Sequence, residues 1–137
     1  MLASWLVVAS AVVCTYVGAV HLLYTLFGSK LNPRDAQLMA AMKQGSLVVS
    51  ARTNVWRAWI GFNASHSLGF VLFGAVFGHL ALSYPAQLFG SVYLAAAGGG
   101  FLAALVVVAR RCFFRAPFVV VILALALYLG GIVAARL

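Results

Sequence analysis

The chain has almost no negative charge: of its 137 residues, Asp35 is the only acidic one. This scarcity argues against carboxylate-based proton coupling and carboxylate-ligated metal sites, because both need Asp or Glu side chains placed together. Cysteine is scarce as well. Cys14 and Cys112 are far apart in the sequence and form no CxxC pair, so two free thiols are expected and no metal site is predicted.

Charged residues of either sign are few, at 7%, whereas hydrophobic residues make up 66% and the mean hydropathy is +1.12. Soluble domains have about 25% charged and about 45 to 50% apolar residues, so a soluble domain is excluded. Four apolar runs are long enough to cross a hydrocarbon core about 30 Å thick as helices. They are residues 2–27, 54–82, 86–108 and 117–135. The sequence predicts an all-α integral membrane protein, with residues 1–137 as a single four-span domain.

The nine basic residues give a net charge of +8, and their placement indicates topology. A nucleic-acid partner would require these charges on one continuous solvated face, so none is expected. Eight of the nine lie in or beside two connections between spans: Lys30, Arg34, Lys43, Arg52 and Arg57 in the first, and Arg110, Arg111 and Arg115 in the second. The positive-inside rule makes both connections cytoplasmic. We therefore expect an antiparallel four-helix bundle with both basic connections in the cytoplasm and both termini outside.

The connection 28–53 contains a helix signal. Asn32 followed by Pro33 is typical of a helix start, and the helix formers of residues 36–44 end at Gly45. A short cytoplasmic helix between spans 1 and 2 is predicted. It either rests on the membrane surface or packs against the cytoplasmic end of the bundle.

Polar residues inside the spans are the candidate binding site. Trp59, Asn63 and His66 follow one another at helical spacing and share one face of the second span. Ser65 belongs to a neighbouring stripe of small residues that permits close helix packing. His21 on the first span is expected near the depth of Asn63.

Glycines of the third span are expected at the depth of His66. A run of three glycines includes Gly98 and Gly99, and each costs about 1 kcal/mol relative to alanine in a helix interior. Either a bulky helix face packs there, or a ligand fills the gap, or the helix bends. The candidate ligand-binding residues are Asn63, His66, His21, Trp59, Ser65, Gly98 and Gly99.

Two interpretations of these polar residues remain open. Uncharged polar groups in a membrane usually hold helices together, whereas ionisable groups there are rarer and favour a functional role. No catalytic residue is predicted, because Ser65 and His66 are adjacent and point apart, unlike a nucleophile and its base. His21 and His66 could ligate a haem, although counting residues along each helix leaves them several ångströms out of register.

The run from Trp56 to Gly69, WRAWIGFNASHSLG, and the upstream segment His21-Leu22-Leu23-Tyr24 together resemble a family of small uncharacterised bacterial four-helix membrane proteins. The resemblance covers most of the chain and is sharpest in the second span. It implies the fold and the membrane location but brings no established activity.

With this resemblance, the sequence favours a small non-enzymatic protein of the bacterial inner membrane that binds a lipid or another hydrophobic ligand, or serves as an accessory subunit. Membrane lipids are the expected partners, with other membrane subunits or further copies of the chain as alternatives. The cofactor is unknown from the sequence: the first expectation is none, and haem or quinone is the alternative. The competing hypotheses are a redox membrane protein that uses haem or quinone at His21 and His66, and a small oligomeric transporter.

Overall fold

The computed structural model describes every residue from 1 to 137 and contains six helices and one β-hairpin. The elements are α1 (Leu2–Phe27), α2 (Ala36–Gln44), β1 (Ser46–Leu47), β2 (Ser50–Asn54), α3 (Val55–Ser83), α4 (Pro85–Gly90), α5 (Val92–Cys112) and α6 (Arg115–Ala134). Helices α1, α3, α5 and α6 are long and apolar enough to cross a membrane, by length and composition. The predicted helical fold with four apolar segments, typical of a multi-pass membrane protein, is confirmed.

The predicted start of the third apolar segment, residue 86, is wrong. Pro85–Gly90 forms the separate helix α4, and α5 begins only at Val92. Ser91 lies between them with an extended backbone, and its Oγ accepts a hydrogen bond from the Leu94 amide at 3.2 Å. A serine in this position caps a new helix and satisfies one of its free amides, so the chain stops one helix and starts another. The predicted end, residue 108, is also too early, because α5 continues to Cys112.

The predicted short helix in the first connection is confirmed as α2. Its N-terminal residue was predicted wrongly: Asp35, not Asn32, caps the helix, because its Oδ1 accepts from the Gln37 amide at 2.8 Å. The helix ends at Gly45 as expected, and the Gly45 amide donates to Ala41 O at 2.8 Å.

A β-hairpin follows α2 and was not predicted. Strands β1 and β2 pair antiparallel, with Leu47 opposite Ser50, and the register shifts between Ser46 and Leu47. The connecting turn is Val48–Val49, and no residue has a positive φ. Two-residue hairpin turns usually carry glycine or asparagine, so the sequence lacks the usual signal for this hairpin.

The hairpin leads directly into α3. The Val55 amide donates to Gly45 O at 2.9 Å, which closes the base of the hairpin. Asn54 Oδ1 accepts from the Arg57 amide at 2.8 Å and so caps the first turn of α3. The base of the hairpin is therefore attached to the start of an apolar helix.

Two compact units can be distinguished. The large unit comprises residues 1–16 and 70–137, and the basic unit comprises residues 17–69. The large unit has an apolar core of buried residues from α1 and α3 to α6: Val7, Cys14, Phe70, Phe73, Ala81, Leu88, Leu102, Val121, Ala124 and Tyr128.

Small residues allow close helix contacts within the large unit. Ser10 is fully buried, and its Oγ donates to Ala124 O at 2.7 Å, which joins α1 to α6. A Cβ on Gly74 would come within 2.6 Å of Ala11 O, so only glycine lets α3 approach α1 this closely. The ring of Phe73 stacks on that of Phe101 with centroids 5.4 Å apart.

The basic unit contains the end of α1, the first connection and the first half of α3. It carries five of the nine basic residues and the single acidic one, Asp35. Its polar side chains form two groups, one between the two long helices and one along the connection.

Candidate functional site

His21 and Asn63 meet within the basic unit. His21 Nε2 lies 3.0 Å from Asn63 Oδ1, and Asn63 Nδ2 donates to Trp59 O at 2.8 Å. A backbone carbonyl can only accept, so the Asn63 atom beside Trp59 must be the NH2 group, and the atom beside His21 must be the oxygen. His21 therefore donates from Nε2, and in the neutral ring its Nδ1 is an acceptor. The expected proximity of His21 to Asn63 is confirmed.

His66 lies beside His21, with ring centroids 5.8 Å apart and an angle of 76° between the rings. The expectation that the two histidines are out of register is therefore wrong. Side chains lean toward the N-terminus of their own helix. His21 thus leans away from the first connection and His66 leans toward it, which brings the rings together.

The hydroxyl groups of Thr25 and Ser67 donate hydrogen bonds to the backbone of their own helices, next to His21 and Asn63. Thr25 Oγ1 donates to His21 O, and Ser67 Oγ donates to Asn63 O, both at 2.8 Å. Both residues are buried, and neither was singled out as a site residue from the sequence. Hydroxyl groups satisfied by the preceding helical turn explain how polar residues can be buried in an apolar helix.

Trp59 and Ser65 contribute less to the candidate site than predicted. Trp59 contributes its carbonyl oxygen to the cluster, while its side chain is 41% exposed. Ser65 is exposed, and its Oγ donates to Phe62 O of its own helix at 3.0 Å. Of the predicted site residues in the basic unit, those that contact one another through side-chain groups are thus His21, Asn63 and His66, which we call the histidine cluster.

Gly98 and Gly99 lie in the large unit, where other side chains occupy the space next to them. Gly98 is buried, and a Cβ there would overlap the rings of Tyr128 and Phe77. A Cβ on Gly99 would touch Leu129 at 3.5 Å. Of the three explanations offered for the glycine run, packing of bulky side chains is the one observed at Gly98.

Tyr128 was missed in the sequence analysis. It is fully buried, and its hydroxyl donates to Leu94 O at 3.1 Å. A signal was available, because a tyrosine in an apolar helix needs a hydrogen-bond partner and a space for its ring, and the glycine run supplies that space.

The structure contains no group of three or more His, Cys, Asp or Glu side chains that could hold a metal ion. His79 is in the large unit, where its Nδ1 lies 3.3 Å from Ser83 Oγ and its ring packs edge-on against Tyr84. Cys14 is buried and Cys112 is exposed, and both are free thiols, as expected.

The basic side chains in or beside the first connection differ in the contacts they make. Lys30 Nζ donates to the Tyr24 hydroxyl at 3.0 Å and lies 4.2 Å from the centre of its ring. Lys43 Nζ lies 6.0 Å from the centre of the Trp56 ring. The remaining three, Arg34, Arg52 and Arg57, are exposed.

Two open cavities lie in the large unit. One of about 610 Å³ is lined by the start of α1, by Pro85 and Phe89 of α4, and by the ends of α3 and α6. The other, about 360 Å³, is an apolar groove between α1 and α3 next to Gly74 and Gly78.

Neither a family model nor a curated protein nor a solved structure matches this chain.

Proposed function

We propose that the chain is a four-span protein of a bacterial inner membrane, folded as one antiparallel helical bundle. Several contacts support the antiparallel arrangement, because residues earlier in one helix contact residues later in the neighbouring helix. Along α1 and α6, Ser10 pairs with Ala124, and Val7 with Gly131. The resemblance to small bacterial four-helix membrane proteins is the basis for choosing the inner membrane.

The contacts between α3 and α5, and between α5 and α6, also support an antiparallel arrangement. Phe73 of α3 stacks on Phe101 of α5, and Phe77 lies against Gly98. Between α5 and α6, Arg110 faces the Phe118 ring at 5.9 Å, and Gly98 lies against Tyr128.

The proposed orientation has both basic connections in the cytoplasm and both termini outside. Its support is the concentration of eight of the nine basic residues in these two connections. Each such residue resists translocation across the membrane, which is the physical content of the positive-inside rule.

We further propose that the histidine cluster binds the polar end of a hydrophobic molecule, such as a lipid or a quinone. The observation that carries this proposal is the hydrogen bond between His21 and Asn63, with His66 beside it, on two predominantly apolar helices. Ionisable side chains inside a membrane are costly and mark functional sites more often than other residues do.

The exposure and the hydrogen-bonding capacity of the histidine cluster also support binding. All three side chains are only half-buried, so a molecule can reach them from the lipid. The bond from Nε2 leaves His21 Nδ1 to accept a hydrogen bond from a hydroxyl or amide group. The nearby Trp59 side chain, 41% exposed, offers an apolar surface for the rest of such a molecule.

Native mass spectrometry of the gently extracted protein, with an absorption spectrum of the same sample, tests this function. We expect a bound lipid or quinone that is lost in His66→Ala and kept in Ser65→Ala, because the Ser65 hydroxyl bonds only within its own helix. A haem absorption band lost in His66→Ala would instead support the redox alternative. A bare protein with an intact fold would contradict both and leave the cluster as a helix-joining contact.

A further inference from the structure

The β-hairpin has an apolar tip that the rest of the protein leaves uncovered. Val48 and Val49 form its turn and are 110% and 87% exposed. Two adjacent valines at the end of a projecting hairpin are unfavourable in water. Insertion into a membrane would remove this apolar surface from water.

Positive charge surrounds the hairpin. Arg52 lies on β2 and Arg57 in the first turn of α3, both exposed, and Lys43 lies at the end of α2. The single acidic side chain, Asp35, caps α2 through the Gln37 amide. The chemistry that complements this surface is therefore anionic.

Arg57 strengthens the case for an anion. The first turn of a helix carries partial positive charge from its free amides, so a basic side chain there is unfavourable. The first turn of α3 contains no acidic residue that would compensate it. A negatively charged group outside the chain would do so.

The hairpin is held near the end of a membrane span. The Val55 amide bonds to Gly45 O, and Lys43 lies over the Trp56 ring. Tryptophan is enriched at the level of lipid headgroups, so Trp56 indicates the depth of the hairpin base. The five residues of β2 extend about 17 Å at most, so the tip stays within about that distance of the headgroup level that Trp56 indicates.

We propose that this hairpin is an interfacial anchor. Val48 and Val49 insert into the headgroup region of the membrane that α1 and α3 span, and Arg52 and Arg57 bind the phosphates of anionic lipids. The anchor requires the proposed membrane insertion but is independent of any ligand at the histidine cluster. It would hold the start of α3, and with it Asn63 and His66, at a set depth.

An environment-sensitive fluorophore on Val48→Cys tests the anchor. The background is Cys112→Ser, in which the remaining thiol, Cys14, is buried. The protein is placed in nanodiscs of phosphatidylcholine alone or mixed with phosphatidylglycerol. In the anionic discs we expect blue-shifted emission that is quenched by headgroup-spin-labelled lipids.

Neutralising the two arginines should release the tip. Arg52→Gln combined with Arg57→Gln should lower the ratio of inserted to free tip on the order of 30-fold, because each basic side chain contributes about fivefold to binding an anionic surface. Arg136→Gln, which removes one positive charge beyond the end of α6, should have no effect.

A second label, on Val12→Cys of α1, separates this inference from the proposed membrane insertion. Val12 is 61% exposed in the middle of an apolar helix, so acyl-chain quenchers should reach it in both kinds of disc. A quenched Val12 label with an unshifted Val48 label would overturn the anchor alone. An unquenched Val12 label would overturn the membrane insertion and the anchor with it. A blue shift at Val48 that lipid quenchers do not reach would mean that a second copy covers the tip, which also overturns the anchor.

Discussion

Asn63 determines the chemistry of the histidine cluster at the scale of a single residue. Its amide group donates to Trp59 O and accepts from His21 Nε2. The first bond can form only with the NH2 group, so the side chain cannot turn over without losing its bond to Trp59 O. One asparagine thereby fixes which nitrogen of His21 carries the proton.

We predict that Asn63→Leu removes this constraint on the tautomer of His21. His21 should change from the Nε2-protonated form to a mixture of tautomers, because the acceptor oxygen is gone and leucine offers none. Solid-state NMR of protein with 15N-labelled histidine measures this directly. The free energy of unfolding should fall by about 0.6 kcal/mol, the average for a hydrogen bond between membrane helices. In the control Ser65→Ala, an unchanged His21 spectrum is expected; a change there, or none in Asn63→Leu, would contradict the assignment.

Gly98 and Gly100 make a matched pair for testing the packing of the glycine run. A Cβ at Gly98 would overlap Tyr128 and Phe77, whereas a Cβ at Gly100 meets nothing within 4 Å. Gly98→Ala should lower the free energy of unfolding by about 1 to 3 kcal/mol through overpacking. Gly100→Ala should be neutral or stabilising by up to about 1 kcal/mol. Unfolding in detergent measures both, and equal effects would refute the packing around Tyr128.

At the scale of an element, the stability of α2 depends on hydrogen bonds at its two ends. It has nine residues and none of them is buried. Helices shorter than about 12 residues are marginal in water on their own. The cap by Asp35 and the hydrogen bond that closes the hairpin base at Gly45 are therefore important to its stability.

We predict that Asp35→Ala loosens α2 without disturbing the long helices. Loss of an N-cap costs about 1 kcal/mol, so backbone amides of α2 should exchange with deuterium about fivefold faster. Asp35→Asn keeps the accepting oxygen and should exchange almost like the parent protein. Exchange accelerated equally in the alanine and asparagine variants would show that the side-chain charge, not the cap, matters.

At the scale of the whole molecule, the apolar surface decides where the protein can exist. In the most apolar 18-residue stretch of each long helix, only 17% to 33% is buried inside the structure. Large side chains such as Trp5, Phe62 and Leu72 are more than 60% exposed. Lipid chains or other apolar helices must cover this surface.

Cys112 provides a test of the proposed orientation. It is exposed at the end of α5, between Arg111 and Arg115, so it should be cytoplasmic. A membrane-impermeant maleimide should label it in inside-out vesicles and not in intact cells with a permeabilised outer membrane. Ser83→Cys in a Cys112→Ser background should show the opposite pattern. Labelling of both positions from one side would contradict the antiparallel arrangement.

Much of the fold could be predicted from the sequence, because long apolar runs leave the chain few alternatives to a helix. A segment inside lipid must satisfy its backbone internally, so an apolar run of about 20 residues has little choice but to be a helix. The ends of α1, α3 and α6 accordingly fall within two residues of the predictions. The break at Ser91 and the hairpin at residues 46–54 lie at or beyond the ends of the apolar runs, where this constraint is weak and local hydrogen bonds decide.

The sequence by itself determined which residues could be functional, because His21, Asn63 and His66 are polar residues in apolar helices. Only the tertiary structure decided which of them meet. A count of 1.5 Å per residue gives the height of a backbone atom, but a side chain reaches several ångströms along the helix axis toward its N-terminus. That reach brings the rings of His21 and His66 to 5.8 Å. In the same way, the place beside Gly98 is taken by Tyr128, a residue 30 positions away along the chain, which no local pattern could assign.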